Sequence, residues 1–195
     1  MRKLVYYMFL LIVNTSLYCA CSSQKKELKE IVKHMQSQTI SIPYNRMNLW
    51  TPDSILAISP WEKAKLKFVH YVDSATCSSC YLHKVTNYEL LFNMEKVSNN
   101  EFFNLFIINP DNNTKRILES EYYDKLIPST IFVDSANIFR KINPTIPSEM
   151  MYHTFLLDEN DKVILVGNPM ANPKIEQMLI SMVEDKLGYK ICANE

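Results

Sequence analysis

The chain is expected to fold as an α/β domain: a mixed sheet flanked by helices, with a strand–helix insertion and a C-terminal hairpin plus helix. Three observations predict it. Apolar strand-like runs alternate with stretches whose apolar residues recur at helical spacing, which implies parallel pairing with helices on both faces. Phe102 to Ile108 reads as one apolar run, the mark of a buried parallel strand. Thr154 to Leu157 and Val163 to Val166 flank the acidic turn Asp158-Glu159-Asn160-Asp161-Lys162, a hairpin that makes the sheet mixed.

The N-terminus reads as a targeting segment. Arg2 and Lys3 precede Leu4 to Val13, an apolar run of ten residues, short for a bilayer span and typical of a signal-peptide core. The following Leu17-Tyr18-Cys19-Ala20-Cys21-Ser22-Ser23 resembles a bacterial lipoprotein signal. Cys21 fits the acylated position better than Cys19, because Ala20 is small and Tyr18 bulky. Leu17 stands four before Cys21, where that pattern prefers three; cleavage without acylation is the alternative, and both routes export the domain.

Leu28, Ile31, Val32 and Met35 then recur at helical spacing among Lys and Glu, an amphipathic helix expected to dock on the domain. Thr39 to Ile42 is a short strand candidate. Tyr44 to Pro60, rich in Asn, Pro and Ser, reads as loop, with Leu49 and Trp50 packing inward. The core is expected to begin at Lys65, with a strand through Val72. Ser78 to about Val97 reads as one helix, with Leu82, Val85, Tyr88, Glu89 and Phe92 along a face. After the Phe102 strand, Asn109 to Asn113 is a break and Thr114 to Leu126 is helix-compatible. Thr130 to Val133 is a strand, and Ser135 caps a short helix to Lys141. Ile175, Met178, Leu179, Met182 and Val183 share the face of a closing helix that ends near Leu187. No internal repeat is visible.

Composition excludes several functions. Twenty-one basic residues balance 21 acidic ones, so nothing marks a nucleic-acid footprint. Gly167 and Gly188 are the only glycines, which rules out Gly-rich phosphate loops and dinucleotide fingerprints and leaves turns to Asn, Asp, Ser and Pro.

Cys77-Ser78-Ser79-Cys80 stands between the Leu66 to Val72 strand and a helical pattern. At such a junction the first sulfur meets a helix N-terminus, where backbone N–H groups and the macrodipole favour a thiolate. The second sulfur lies within reach to close a disulfide. In an exported protein disulfides persist, so the pair reads as redox or structural rather than as a zinc half-site. Cys192 is left as a thiol near the end of the chain.

That element order, with CxxC after the first core strand, resembles the thioredoxin fold and, within it, the TlpA-like exported thiol–disulfide oxidoreductases. Phe68 to Cys80, Ser129 to Phe139 and Tyr152 to Pro169 carry the resemblance, over roughly residues 43 to 187. It implies a signal peptide over 1–20, a lipid-anchored tether with a short helix over 21–42, and a thioredoxin-like domain over 43–190. It also implies a place in the cell envelope, partners among protein thiols and disulfides there, and a membrane anchor through Cys21. No cofactor or metal is expected. Two departures stand out. Thr76 replaces the usual Trp before the first cysteine, and His153 occupies the position of a cis-proline before Thr154. A cis bond before a non-proline costs about 3 kcal/mol, so a trans loop is expected.

The resemblance assigns Cys77 as nucleophile and Cys80 as the more buried resolving residue, with Thr76, His153 and Thr154 lining the substrate groove. Asp73 and Glu89 are candidate proton handlers, Asp73 reading more simply as a turn residue and His70 as a satisfied core imidazole. Cys77, Cys80, His83 and His153 have four donors but not a finger spacing. Tyr81 after Cys80 removes haem attachment, and Ser74-Ala75-Thr76-Cys77 lacks the Pro-Thr-x-x-Cys of a peroxidase. A static disulfide in a binding module is the rival reading.

Overall fold

The computed structural model describes residues 25–50, 61, 64–110 and 130–191. The targeting and acylation readings, the helix expected over 114–126 and Cys192 lie outside the described residues. A helix over 25–36 (α1) leads into strand β1 (Asn48–Trp50). Then follow β2 (Leu66–Val72), helices α2 (Ser78–Thr86) and α3 (Glu89–Val97), β3 (Phe102–Ile108) and β4 (Ile131–Val133). Helix α4 (Ile138–Ile142), β5 (Thr154–Leu157), β6 (Val163–Val166) and α5 (Pro173–Leu187) complete the chain.

The six strands form one sheet in the order β1-β4-β3-β2-β5-β6. Strands β2, β3 and β4 are mutually parallel neighbours, with His70 opposite Phe106 and Phe106 opposite Ile131. Strand β5 runs antiparallel to β2, pairing Val69 with Phe155, and β6 closes the hairpin. A central strand with a parallel neighbour on one side and an antiparallel hairpin on the other, between helical layers, is a thioredoxin-like α/β arrangement. Past β3 the sheet continues through β4 to the antiparallel edge strand β1.

Strands β2 and β3 are buried at every residue, so their alternate side chains build two cores. On one face Val69, Tyr71, Phe103, Leu105 and Phe155 meet Met35 of α1 and Phe139 of α4. On the other, Leu66, Phe68 and Phe102 meet Leu91, Met94, Leu179 and Val183, while Val72, Phe106 and Ile108 meet Leu82 and Val85. Met35, Ile40 and Met47 place the core's start upstream of the expected Lys65. The docking is polar as well: Gln36 Nε2 donates to the Ile164 carbonyl, and Ile40 N to that of Asp161.

Several local readings change. Thr39 to Ile42 forms a single bridge, Thr39 to Lys162, rather than a strand. The stretch taken as loop contains β1, which borrows order from β4 through the Leu49–Phe132 pairing. Leu49 points outward, 45% exposed, because it sits on an edge strand; Trp50 is half-buried. The single helix expected over 78–97 is two, separated at Asn87 and Tyr88. Their buried residues lie on separate arcs, Leu82 with Val85 and Leu91 with Met94, and each helix packs over a different part of the sheet.

The turn chemistry follows from the scarcity of glycine. Among the described residues the non-glycine positive-φ positions are Asn99, Asn100, Asn137 and Asp161, the types that tolerate left-handed backbone best. Gly167 has φ of +131°, and a Cβ there would lie 3.1 Å from Ile175 Cδ1, so its lack of side chain is needed twice over.

Helix α4 starts at Ile138, and its cap is Asp134 rather than Ser135. The buried Asp134 accepts from Ile138 N through Oδ1 and from Phe139 N through Oδ2, both at 2.7 Å. Asn137 in left-handed conformation turns the chain so that both amides face one carboxylate. Asp134→Ala is therefore expected to cost about 2 kcal/mol, and the exposed Ser135→Ala less than about 0.5 kcal/mol, read from urea-unfolding midpoints.

Candidate active site

Cys77 is the N-cap of α2 and Ser78 its first residue. Strand β2 ends at Val72, Asp73 to Thr76 turns, and the chain enters the helix just past the C-terminal end of this central strand. Thr76 N donates to the Asp73 carbonyl and Thr76 Oγ1 to Asp73 Oδ1 at 2.7 Å, so Asp73 acts as the turn residue its position suggested. Cys77 and Cys80 form a disulfide, their Cα atoms 5.3 Å apart. Cys80 N donates to Cys77 Sγ at 3.3 Å, and Ser79 Oγ lies 3.4 Å from the same sulfur. The Cys77 sulfur thus occupies the place where a helix N-terminus stabilises negative charge.

Cys80 was expected to be the more buried of the two cysteines; both are exposed. The inward side of α2 is taken by Ser78, Leu82 and Val85, and Cys80 falls on the opposite side. Ser78 is fully buried beside the disulfide, and its hydroxyl has no partner among the described residues.

Of the three groove residues expected, Thr76 is half-buried, whereas His153 and Thr154 are 2% and 4% exposed. No peptide bond among the described residues is cis, and His153 closes a 3-10 turn, Met150–Tyr152, in ordinary helical backbone. Its Nε2 bonds the Pro147 carbonyl at 2.9 Å, and Nδ1 lies 3.9 Å from Asp73 Oδ2. Burial holds the imidazole below its usual range, against the pull of that carbonyl and Asp73. The surface beside the dithiol is formed instead by Met150, 60% exposed, whose sulfur receives a contact from Thr76 Oγ1 at 3.6 Å. Met151 is 57% exposed next to it.

His83 is exposed, and among the described residues no three His, Cys, Asp or Glu side chains converge as a metal-ligand set. Glu89, a candidate proton handler, is exposed at the start of α3, and no hydrogen bond links it to the dithiol among the described residues. The carboxylate that sequence reasoning passed over is Glu95, on the inner side of α3. Its Oε2 accepts from Asn104 Nδ2 at 2.7 Å, and burial pushes its carboxyl up to about 7. Asn104 interrupts the apolar run of β3, and that interruption was the available signal.

His70 is buried as expected but not fully satisfied. Its Nδ1 bonds Tyr81 Oη at 2.7 Å, while Nε2 has no partner among the described residues. Tyr81 Oη also lies 3.5 Å from Thr154 Oγ1. The ring stacks on Phe106 at 4.4 Å, and desolvation drops its pKa to about 3, so it is neutral.

Neither a protein-family model nor a curated protein matches this chain. Among solved structures, the C-terminal domain of an uncharacterized Bacteroides fragilis protein aligns at 15% identity over 72% of this chain and 94% of that one, TM-score 0.46. A bacterioferritin comigratory protein of Xanthomonas campestris, described for alkyl peroxide reduction, aligns at 11% identity over 76% of this chain and 98% of its own, TM-score 0.46. Mycobacterium tuberculosis AhpC aligns at 12% identity over 63% and 75%, TM-score 0.40. At such distances what defines the fold is this chain's own strand order, and what defines the site is its own dithiol.

Proposed function

We propose that the protein is an exported thiol–disulfide oxidoreductase of the TlpA-like kind, acting on protein thiols and disulfides of the cell envelope and anchored through Cys21. The observation that carries the reading is the exposed Cys77–Cys80 disulfide with Cys77 as the N-cap of α2. In the reduced protein the Cys77 thiolate attacks one sulfur of a substrate disulfide and forms a mixed disulfide. The first substrate thiolate leaves and takes a proton. The Cys80 thiolate then attacks Cys77 Sγ, the Cys77–Cys80 bond re-forms, and the second substrate thiol is released. Two electrons pass from the dithiol to the substrate, and oxidation of a substrate dithiol is the same sequence reversed.

The peptide dipoles and the Cys80 amide stabilise the attacking thiolate, and Ser79 is placed to donate to it. The buried, trans His153 where the fold family keeps a cis-proline favours the second reading, a static bridge in a binding module. One experiment separates them. Alkylation of the reduced protein is expected to reveal a thiolate well below the free-cysteine value of about 8.5. Insulin reduction is expected to vanish in Cys77→Ser, and Cys80→Ser to accumulate a mixed disulfide. Reduction that persists in Cys77→Ser eliminates the proposed nucleophile; a wild-type protein inert toward insulin and toward dithiol substrates supports the binding module.

A further inference from the structure

Two hydrogen-bonded groups line the sheet under α2 and α3, Thr154–Tyr81–His70 and Asn104–Glu95, and their bond directions can be assigned. His70 is neutral, so its imidazole has one N–H and one acceptor nitrogen. Besides Ser78 Oγ, this layer holds two buried atoms that lack hydrogen-bond partners among the described residues, His70 Nε2 and Asn104 Oδ1. Asn104 is the side chain whose polar contact acts on His70. The residues lie on one face, since Phe68 is opposite Asn104 and His70 opposite Phe106 in the β2–β3 register. A proton on Nε2 aimed at Asn104 Oδ1 answers both vacancies. Nδ1 is then the acceptor, so Tyr81 Oη donates to it at 2.7 Å.

The rest follows. Tyr81 Oη, having spent its proton, accepts from Thr154 Oγ1, and the Asn104 Nδ2 group donates to Glu95 Oε2. Every link from Thr154 through Tyr81, His70 and Asn104 donates toward the carboxylate. Chains of this kind polarise cooperatively in a low dielectric. Tyr81 joins this chain to the site: it follows Cys80, and its backbone N–H is bonded to the Cys77 carbonyl at 3.0 Å.

We infer that Glu95 is a positioning residue for the dithiol, acting on the Cys77–Cys80 couple through Asn104, His70 and Tyr81. An ionised Glu95 orients the chain with its electron-rich end toward α2. That polarisation disfavours a thiolate at Cys77 and favours the disulfide. Protonation of Glu95 relieves this and favours the dithiol. By linkage, reduction makes Glu95 harder to ionise.

The other charged and titratable groups on the packed elements are accounted for. On α5, Glu176 is bonded to Tyr88 Oη, and Glu101 before β3 is paired with Lys65. On α3 itself Glu89 and Lys96 are exposed. Around the dithiol stand Asp73, bonded to Thr76, His153, bonded to Pro147, and the exposed His83. Glu95→Gln leaves all of these in place.

The inference rests on the dithiol being reducible, as the proposed function requires, but is measured apart from turnover. The full chain is equilibrated with dithiothreitol between pH 5.5 and 8.5 and the reduced fraction counted by quenched alkylation. After division by the Glu95→Gln curve, the wild-type equilibrium constant is expected to fall about fivefold as pH rises through 7, the low end of ordinary site–site coupling. Tyr81→Phe, which cuts the chain while leaving Glu95 buried, is expected to follow the Glu95→Gln curve. A wild-type curve that superimposes on Glu95→Gln overturns the coupling, and a step that survives in Tyr81→Phe overturns the route. An insulin-inactive protein that still shows the step loses the oxidoreductase reading alone. A disulfide that dithiothreitol cannot open at any pH overturns both.

Discussion

Phe155→Ala is expected to remove about 3–5 kcal/mol of stability, a large share of what a domain of this kind possesses. Phe155 is completely buried on β5, between Val69 of the central strand and Val166 of the hairpin partner. Its ring belongs to the core that also holds Tyr71, Phe103, Phe132 and Phe139, so truncation leaves a cavity bounded by the sheet itself. The rigid pairing on both sides prevents collapse into that space. Urea unfolding followed by circular dichroism is the measurement, with Leu49→Ala as comparison. Leu49 is an apolar strand residue too, but 45% exposed, and its loss is expected to cost less than about 0.5 kcal/mol. Equal losses at the two positions would contradict the sheet order described here.

Glu95→Gln is expected to stabilise the protein at pH 8 by roughly 3 kcal/mol and to change little at pH 4. The sign follows from which state binds the proton. Burial lifts the folded carboxyl from 4.5 to about 7, with the Asn104 amide opposing. Between those values the folded protein holds a proton that the unfolded chain has released, so stability falls as pH rises through the window. A glutamine cannot ionise and still accepts from Asn104. The check is the unfolding free energy at several pH values for both proteins. Parallel wild-type and variant curves from pH 4 to 8 would remove Glu95 from the set of buried titrating groups.

These two residues show where sequence patterning stops. Phe155 and Leu49 are both apolar residues in strands, and only neighbouring strands from elsewhere in the chain make one central and the other an edge. Glu95 and Glu89 both lie on α3, six residues apart; periodicity favoured Glu89 because the helix was read as continuous from Ser78. The break at Asn87 rotates the second helix and brings Glu95 inward to Asn104. Asn104 itself was hidden by six apolar neighbours in its strand.

The dithiol was more legible, because its chemistry is local. Strand, turn and CxxC in succession place Cys77 at a helix start through backbone geometry alone, and the structure has it as the N-cap. The exposure of Cys80 was not local. It depended on which side of α2 the sheet would claim, and Ser78, Leu82 and Val85 claimed the side opposite.

What the sequence by itself determined is therefore the alternation of strands and helices, the terminal hairpin, the left-handed turns at Asn and Asp, and the position of the disulfide. Each depends on interactions within a few residues, where propensity and periodicity act directly. Tertiary structure decided the order of the strands, the edge position of Leu49 beside Phe132 and the meeting of Tyr81 on α2 with Thr154 on β5. Those contacts join residues dozens apart in the chain, and no short-range pattern encodes which distant surface a side chain will meet.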